Sequence, residues 1–260
     1  GEGAREGISA GEGARRDSRT SKEVGARKDS RTSKEVGARR DSRTSKRDMW
    51  IKATYLLSKT YQMPAPPDAE SLALGIQTLQ PLLNACPEAK EAIQAAYDIS
   101  TAFAHLGRHD EAIKAYRALI DRERIRPGDD EAGKLAETLS QDALFNIGKL
   151  LFAQKKYTDA IGVWNQYIAK YPTGPNWSNA QRAIVDAEYQ VGADAVTEER
   201  FDGAREAWST FLQKYPLDGR AAGIMYELGR LSYVEQERKE KVREGILAPA
   251  NEVQERKEKV

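Results

Sequence analysis

His105 and His109 are the two imidazoles of this 260-residue chain, four residues apart. On one helix face that spacing would let both rings reach the same metal ion. Leu106-Gly107-Arg108 between them instead predicts a turn between two helices, which separates the rings, and no third ligand is spaced to complete a set. Cys86 is the single thiol, which excludes an intramolecular disulfide and any multi-cysteine metal knuckle. Just before Pro87 it reads as a small, partly buried apolar residue. Asp129-Asp130-Glu131 follows Pro127-Gly128 and supplies an N-cap, at Asp129 or Asp130, for a helix running through Leu135. No nucleophile–base pair accompanies those carboxylates. GEGARE and GEGARR at the amino end follow no predicted strand, so they are not nucleotide fingerprints. The expectation is no catalytic residue, no metal, no cofactor and no enzymatic activity.

The remaining candidate chemistry lies in the first 48 residues, which hold 14 Lys/Arg against 9 Asp/Glu while the rest of the chain holds 27 against 31. A twelve-residue unit is written three times there: GARRDSRTSKEV from Gly13, GARKDSRTSKEV from Gly25 and GARRDSRTSKRD from Gly37. Ser18, Ser30 and Ser42 each follow two basic residues and an aspartate, a pattern that basophilic kinases favour. Val24 and Val36 are the only large apolar residues of the array, too few to offset the entropy of ordering it. Residues 1–48 are therefore expected to be a disordered, basic, low-complexity tail. Its interspersed acids dilute the positive field and no aromatic is interleaved for base stacking, which disfavours nucleic-acid binding. GEGAREGISA has no apolar signal-peptide core and no initiator Met, so a fragment or a processed form is expected. No apolar run approaches the roughly 20 residues of a bilayer span, and the mean hydropathy is −0.69.

Between the tail and about Val234 the sequence repeats itself. Segments starting at Ala95, Ala143, Ala187 and Ile224 carry an aromatic (Tyr97, Phe145, Tyr189, Tyr226), an aliphatic (Ile99, Ile147, Val191, Leu228) and a small residue (Ser100, Gly148, Gly192, Gly229) in one register. Nine residues after the small residue stands a ring, His109, Tyr157 or Phe201. Three further on is Ala112, Ala160 or Ala204, and four beyond that Tyr116, Trp164 or Trp208. The helical spacing predicts antiparallel pairs in which the small residue and the alanine bring two helices close while the rings fill the wedge, each burying of order 150–250 Å2. Pro87, Pro127, Pro172 and Pro216 close the second helices, because proline lacks the N–H that a continuing helix requires.

This pattern resembles the tetratricopeptide repeat, whose signature W-x2-L-G-x2-Y, A-x3-F, P spans about 34 residues. The resemblance covers roughly residues 93–234, with an imperfect first unit from Trp50 to Pro87 in which Gly75-Ile76, Leu79 and Leu82-Leu83 take second-helix slots. The closing prolines are 40, 45 and 44 apart, so inserts are expected to lengthen the following first helices. The long unit, with Tyr171-Pro172 and Tyr215-Pro216, is similar to repeats of bacterial outer-membrane assembly lipoproteins and Tol-associated coordinators. The resemblance implies an all-α, right-handed solenoid of about four helix pairs and a closing helix over residues 49–234, followed by a charged helical or frayed extension, 235–260. It also implies a protein or peptide partner on the concave face of the first helices, in a bacterial envelope complex. The candidate face is Tyr97, Thr101, Phe145, Asn146, Lys149, Tyr189, Tyr226 and Arg230. An incomplete fourth repeat is expected to expose Leu228, Leu231 and Tyr233. The alternatives are a docking or regulatory segment of a larger protein, or a module whose basic tail holds nucleic acid.

Overall fold

The computed structural model describes residues 44–125 and 130–245. Helix α1 covers residues 44–58. After a 3-10 turn at Lys59–Tyr61 come α2 (Ala69–Ala85), α3 (Lys90–His105), α4 (His109–Ile125), α5 (Glu131–Ala153), α6 (Tyr157–Lys170), α7 (Trp177–Thr197), α8 (Phe201–Lys214) and α9 (Ala221–Arg243). There is no strand among the described residues. The pairs α3/α4, α5/α6 and α7/α8 are helical hairpins, and the second helix of each packs on the first helix of the next. This is the all-α, tetratricopeptide-like repeat architecture that the resemblance implied. The inserts lengthen α5 and α7, as the proline spacing implied.

The helices start and stop where local chemistry allows. Asp68 and Asp130 cap α2 and α5 by accepting hydrogen bonds from the amides of Ser71 (2.7 Å) and Gly133 (2.8 Å). Within each hairpin the chain reverses through one left-handed residue, Gly107 (φ 72°), Lys155 (φ 62°) or Glu199 (φ 58°). The next amide reaches back five residues to a carbonyl, from Arg108 to Phe103, Lys156 to Leu151 and Arg200 to Ala195, at 2.8–2.9 Å. This is a Schellman closure. α6 and α8 end at Lys170 and Lys214, two residues ahead of Pro172 and Pro216.

What closes a pair is a ring seated on a glycine. A Cβ on Gly148 would fall inside the indole of Trp164, and one on Gly192 inside that of Trp208, closer than any real Cβ contact. Each indole N–H then donates to a carbonyl of the helix it covers, Trp164 to Phe145 (3.1 Å) and Trp208 to Tyr189 (3.2 Å). Ala160 and Ala204, four residues before the tryptophans, are fully buried. In α3/α4 the small residue is Ser100 and the ring is the smaller Tyr116. Three clusters make the core among the described residues: α1–α3 around Leu72, Leu79 and Leu82, α4–α7 around Trp164 and Tyr167, and α7–α9 around Trp208 and Phe211.

The domain edges differ from the sequence expectation. α1 begins at residue 44, inside the segment assigned to the tail, because Arg47 belongs to the body: its guanidinium donates to the sulfur of Cys86 (3.2 Å) and the carbonyl of Ala85 (3.4 Å) at the end of α2. Residues 1–43, with Ser18, Ser30 and Ser42, lie outside the described residues. At the other end 235–243 continue α9 without a break, helped by ion pairs of Glu235 with Arg205 and Lys239. Residues 246–260 lie outside the described residues. The expected open stripe is also corrected. Leu231 is buried against α8 and Leu228 half-buried, whereas Met225, Tyr226 and Tyr233 point away. Gly229 carries no ring, and a Cβ there would meet nothing within 4 Å.

The seats predict opposite outcomes for one chemical change. Gly148→Ala and Gly192→Ala should each cost about 1–3 kcal/mol, because indole and backbone must move apart. Gly229→Ala should be neutral or stabilise by up to about 1 kcal/mol, the helix-propensity gain. Urea unfolding of the three variants checks the contrast.

Candidate protein-binding face

The aromatic positions of the first helices sit in one register, but the structure gives them unequal surroundings. Tyr97 meets Tyr116 edge-on at 5.6 Å between centroids. Phe145 lies 6.4 Å from Trp164 and 6.0 Å from Tyr167. Tyr189 stacks on Trp208 at 6.2 Å and meets Phe211 edge-on at 6.1 Å. All three are half-buried, so each is a wall of its own hairpin that keeps an edge at the surface. Tyr226 is 71% exposed. It lacks the covering helix that the other three have among the described residues.

Most polar groups of this face are spent internally. The hydroxyl of Thr101 donates to the Tyr97 carbonyl (3.1 Å), so at its 2.9 Å contact with Tyr116 the phenol is the donor. Asn146 on α5 donates to the Tyr97 hydroxyl on α3 (3.2 Å), tying one repeat to the next. Arg230 pairs with Glu227 at 2.7 Å. Lys149 is exposed and makes no ion pair or hydrogen bond among the described residues. It is the uncommitted cation of the proposed set.

Three polar devices escaped the sequence reading. Asp98 on α3 is buried, accepting from Tyr55 (2.9 Å), Lys59 (2.7 Å) and Gln94 (2.9 Å), which fastens α1 to the array through a neutralised charge. Arg220, at the start of α9, reaches Asp186 on α7 (2.8 Å), is held by Asp218 and covers the rings of Tyr189 (5.0 Å) and Phe211 (5.3 Å). One repeat earlier the same slots hold Asn176 and Asp142, 3.1 Å apart, and the hydroxyl of Tyr167 accepts from the Asn176 amide (3.1 Å). Burial raises the Asp142 carboxyl above its ordinary value, opposed by the Asn176 hydrogen bond. The Arg220 hydrogen bonds draw Asp218 down to about 2.

His105 is exposed at the end of α3 and His109 half-buried at the start of α4, on opposite sides of the turn. Among the described residues no group of three His, Cys, Asp or Glu side chains is placed to hold a metal ion. No described helix is long and apolar enough to cross a membrane. The ring at Tyr157 packs on Phe152 at 5.1 Å and its hydroxyl donates to Asp194 (3.3 Å). Phe201 in the equivalent slot is half-buried against the α7–α9 cluster.

Burial, with the Tyr116 and Asp142 charges behind it, pushes the Tyr97 phenol up to about 12. The neutral phenol is thus the form that the fold favours. Its contribution to stability is whole below the ordinary tyrosine value near 10 and is lost as pH rises toward 12. Ultraviolet titration should show a late-ionising class near pH 12, to which Tyr215 also belongs. Tyr97→Phe should remove one phenol from that class and flatten the loss of stability above about pH 10.

Comparison with known families agrees with this geometry. A tetratricopeptide-repeat model matches residues 142–174, the span from the start of the Phe145 register to the turn after Pro172. A second tetratricopeptide-repeat model matches residues 86–130, which contain α3 and α4. No curated protein matches the chain. The two matched stretches are tetratricopeptide-like helical hairpins, units that generally mediate protein–protein interaction.

Proposed function

We propose that this chain is a non-catalytic scaffold that binds an extended segment of a partner protein along the first helices α3, α5 and α7. The edges of Tyr97, Phe145 and Tyr189 contact apolar side chains, and Lys149 takes an acidic one. The observation that carries the reading is the contrast within this face. Thr101, Asn146 and Asp142 are hydrogen-bonded within the array, while Lys149 stands exposed without a partner among the described residues. A cation left uncommitted on a surface of half-buried rings is the arrangement by which an interface selects charge while its apolar neighbours supply affinity. The long repeat unit and its Tyr-Pro closures favour assembly of a bacterial envelope complex as the setting.

Because Phe145 and Tyr189 are packing rings, Lys149 is the position that separates binding from folding. In selection from a displayed random-peptide library, the full chain should recover sequences rich in Asp or Glu beside aromatic or aliphatic residues. Lys149→Glu should weaken the recovered peptides about tenfold or more, with the circular dichroism spectrum unchanged. Recovery without acidic enrichment, or equal binding by Lys149→Glu, would contradict the reading.

A further inference from the structure

α9 differs from the other first helices in running past the point of reversal. The ring expected nine residues after Gly229 is Arg238, and the helix continues to Arg243 before Gly245, at φ 74°, ends it. No returning helix covers it among the described residues. Its outward stripe is Ala222, Tyr226, Gly229 and Tyr233, spaced four, three and four apart, all exposed, with the two rings 71% and 67% so. The stripe alternates small, large, small, large.

That order reads as its own complement when a second helix is laid antiparallel. With Tyr226 opposite Gly229 of a second copy, Gly229 comes opposite Tyr226, and Ala222 and Tyr233 meet in both directions. This is the self-complementarity a two-fold interface requires, residue i on j and j on i. It also repeats the device that closes the hairpins inside the array, a ring lying on a glycine of an antiparallel helix. The spacing is that of a heptad seam, whose layers pair unlike positions when two helices run antiparallel. Along one flank of the seam stand Met225, Ser232 and Lys239, each seven residues from the next. In the same register Met225 faces Ser232 of the other copy at both ends. On the other flank Gly223 leaves room for Arg230.

We propose that α9 is an isologous dimerisation helix, pairing antiparallel with α9 of a second copy through Tyr226 on Gly229 and Tyr233 on Ala222. The chain's own residues 246–260 fit the face less well. They hold no aromatic residue, and beyond Leu247 only Val253 and Val260 are apolar and larger than alanine or proline. The proposal does not depend on the peptide face, since Lys149 takes no part in it. A seam of four layers buries less than the roughly 800 Å2 per partner of a standard interface, so the dimer is weak and reversible.

Sedimentation equilibrium of the full chain, from low-micromolar to near-millimolar concentration, should show the mass rising from 29.0 kDa toward its double and no further. Tyr226→Glu and Tyr233→Glu should each raise the dimer dissociation constant about tenfold or more, with helicity retained because both rings are exposed. Should either variant lose helicity, cross-linking decides. Copies bearing Tyr226→Cys mixed with copies bearing Gly229→Cys should form a disulfide-linked dimer in higher yield than either alone. Four results would overturn the proposal. They are a monomer throughout, growth beyond the dimer through the exposed apolar residues of α1, a dimer indifferent to both glutamates, and a dimer that forms only once residues 246–260 are removed. The last would make that segment the cover of α9.

Discussion

The contact on which the array depends is the indole plane lying where a Cβ would be, Trp164 on Gly148 and Trp208 on Gly192. It brings two helix backbones within reach of a side-chain-to-carbonyl hydrogen bond, satisfies the indole N–H, and buries the largest side chain of the repeat in one step. The buried alanine four residues before each tryptophan is needed because the helices are then too close for anything larger. The left-handed turns follow from the same constraint. A hairpin this tight must reverse within three residues, and the array accepts Lys155 and Glu199 in a conformation that glycine would adopt more easily.

Closing one hairpin leaves its other side apolar, which is why the units stack. The joint between units is made by different chemistry at different steps. α1 is fastened to α3 by the buried Asp98 cluster, α3 to α5 by Asn146 on Tyr97, and α5 to α7 by Asn176 between Asp142 and Tyr167. At the last step Arg220 replaces the asparagine, spans Asp218 and Asp186, and lays its guanidinium on the two rings of the preceding hairpin. These joints consume most of the polar groups of the first-helix face. Lys149 is left over, exposed beside the half-buried ring of Phe145.

Much of this was legible in the sequence because repetition removes ambiguity. The nine-residue step from Gly148 to Tyr157 and from Gly192 to Phe201 placed the hairpin turns, and the prolines placed the helix ends. The glycines were read as points of helix approach, which is half of their role; that the indole itself occupies the space needed three dimensions. The Asp98 cluster was invisible because Tyr55 and Lys59 lie in the first unit, where the repeat pattern is imperfect. The Asn176 and Arg220 joints did carry a signal, standing 44 residues apart like Asp142 and Asp186, but an offset between unlike residues shows no chemistry until both partners are seen. The exposed stripe on α9 lies a fraction of a turn away from the one that Leu228, Leu231 and Tyr233 would make. Leu231 follows the core, and Tyr226 and Tyr233 take the opposite side.

The claim that the ring-on-glycine contact holds each hairpin is tested most directly by a double-mutant cycle between Gly148→Ala and Trp164→Leu, read by urea unfolding. If the indole occupies the space over Gly148, the alanine is costly with Trp164 present and nearly free once leucine replaces it, a coupling of about 1–3 kcal/mol. Additive costs would mean that glycine and ring act independently, and the account of how these helices close would be wrong.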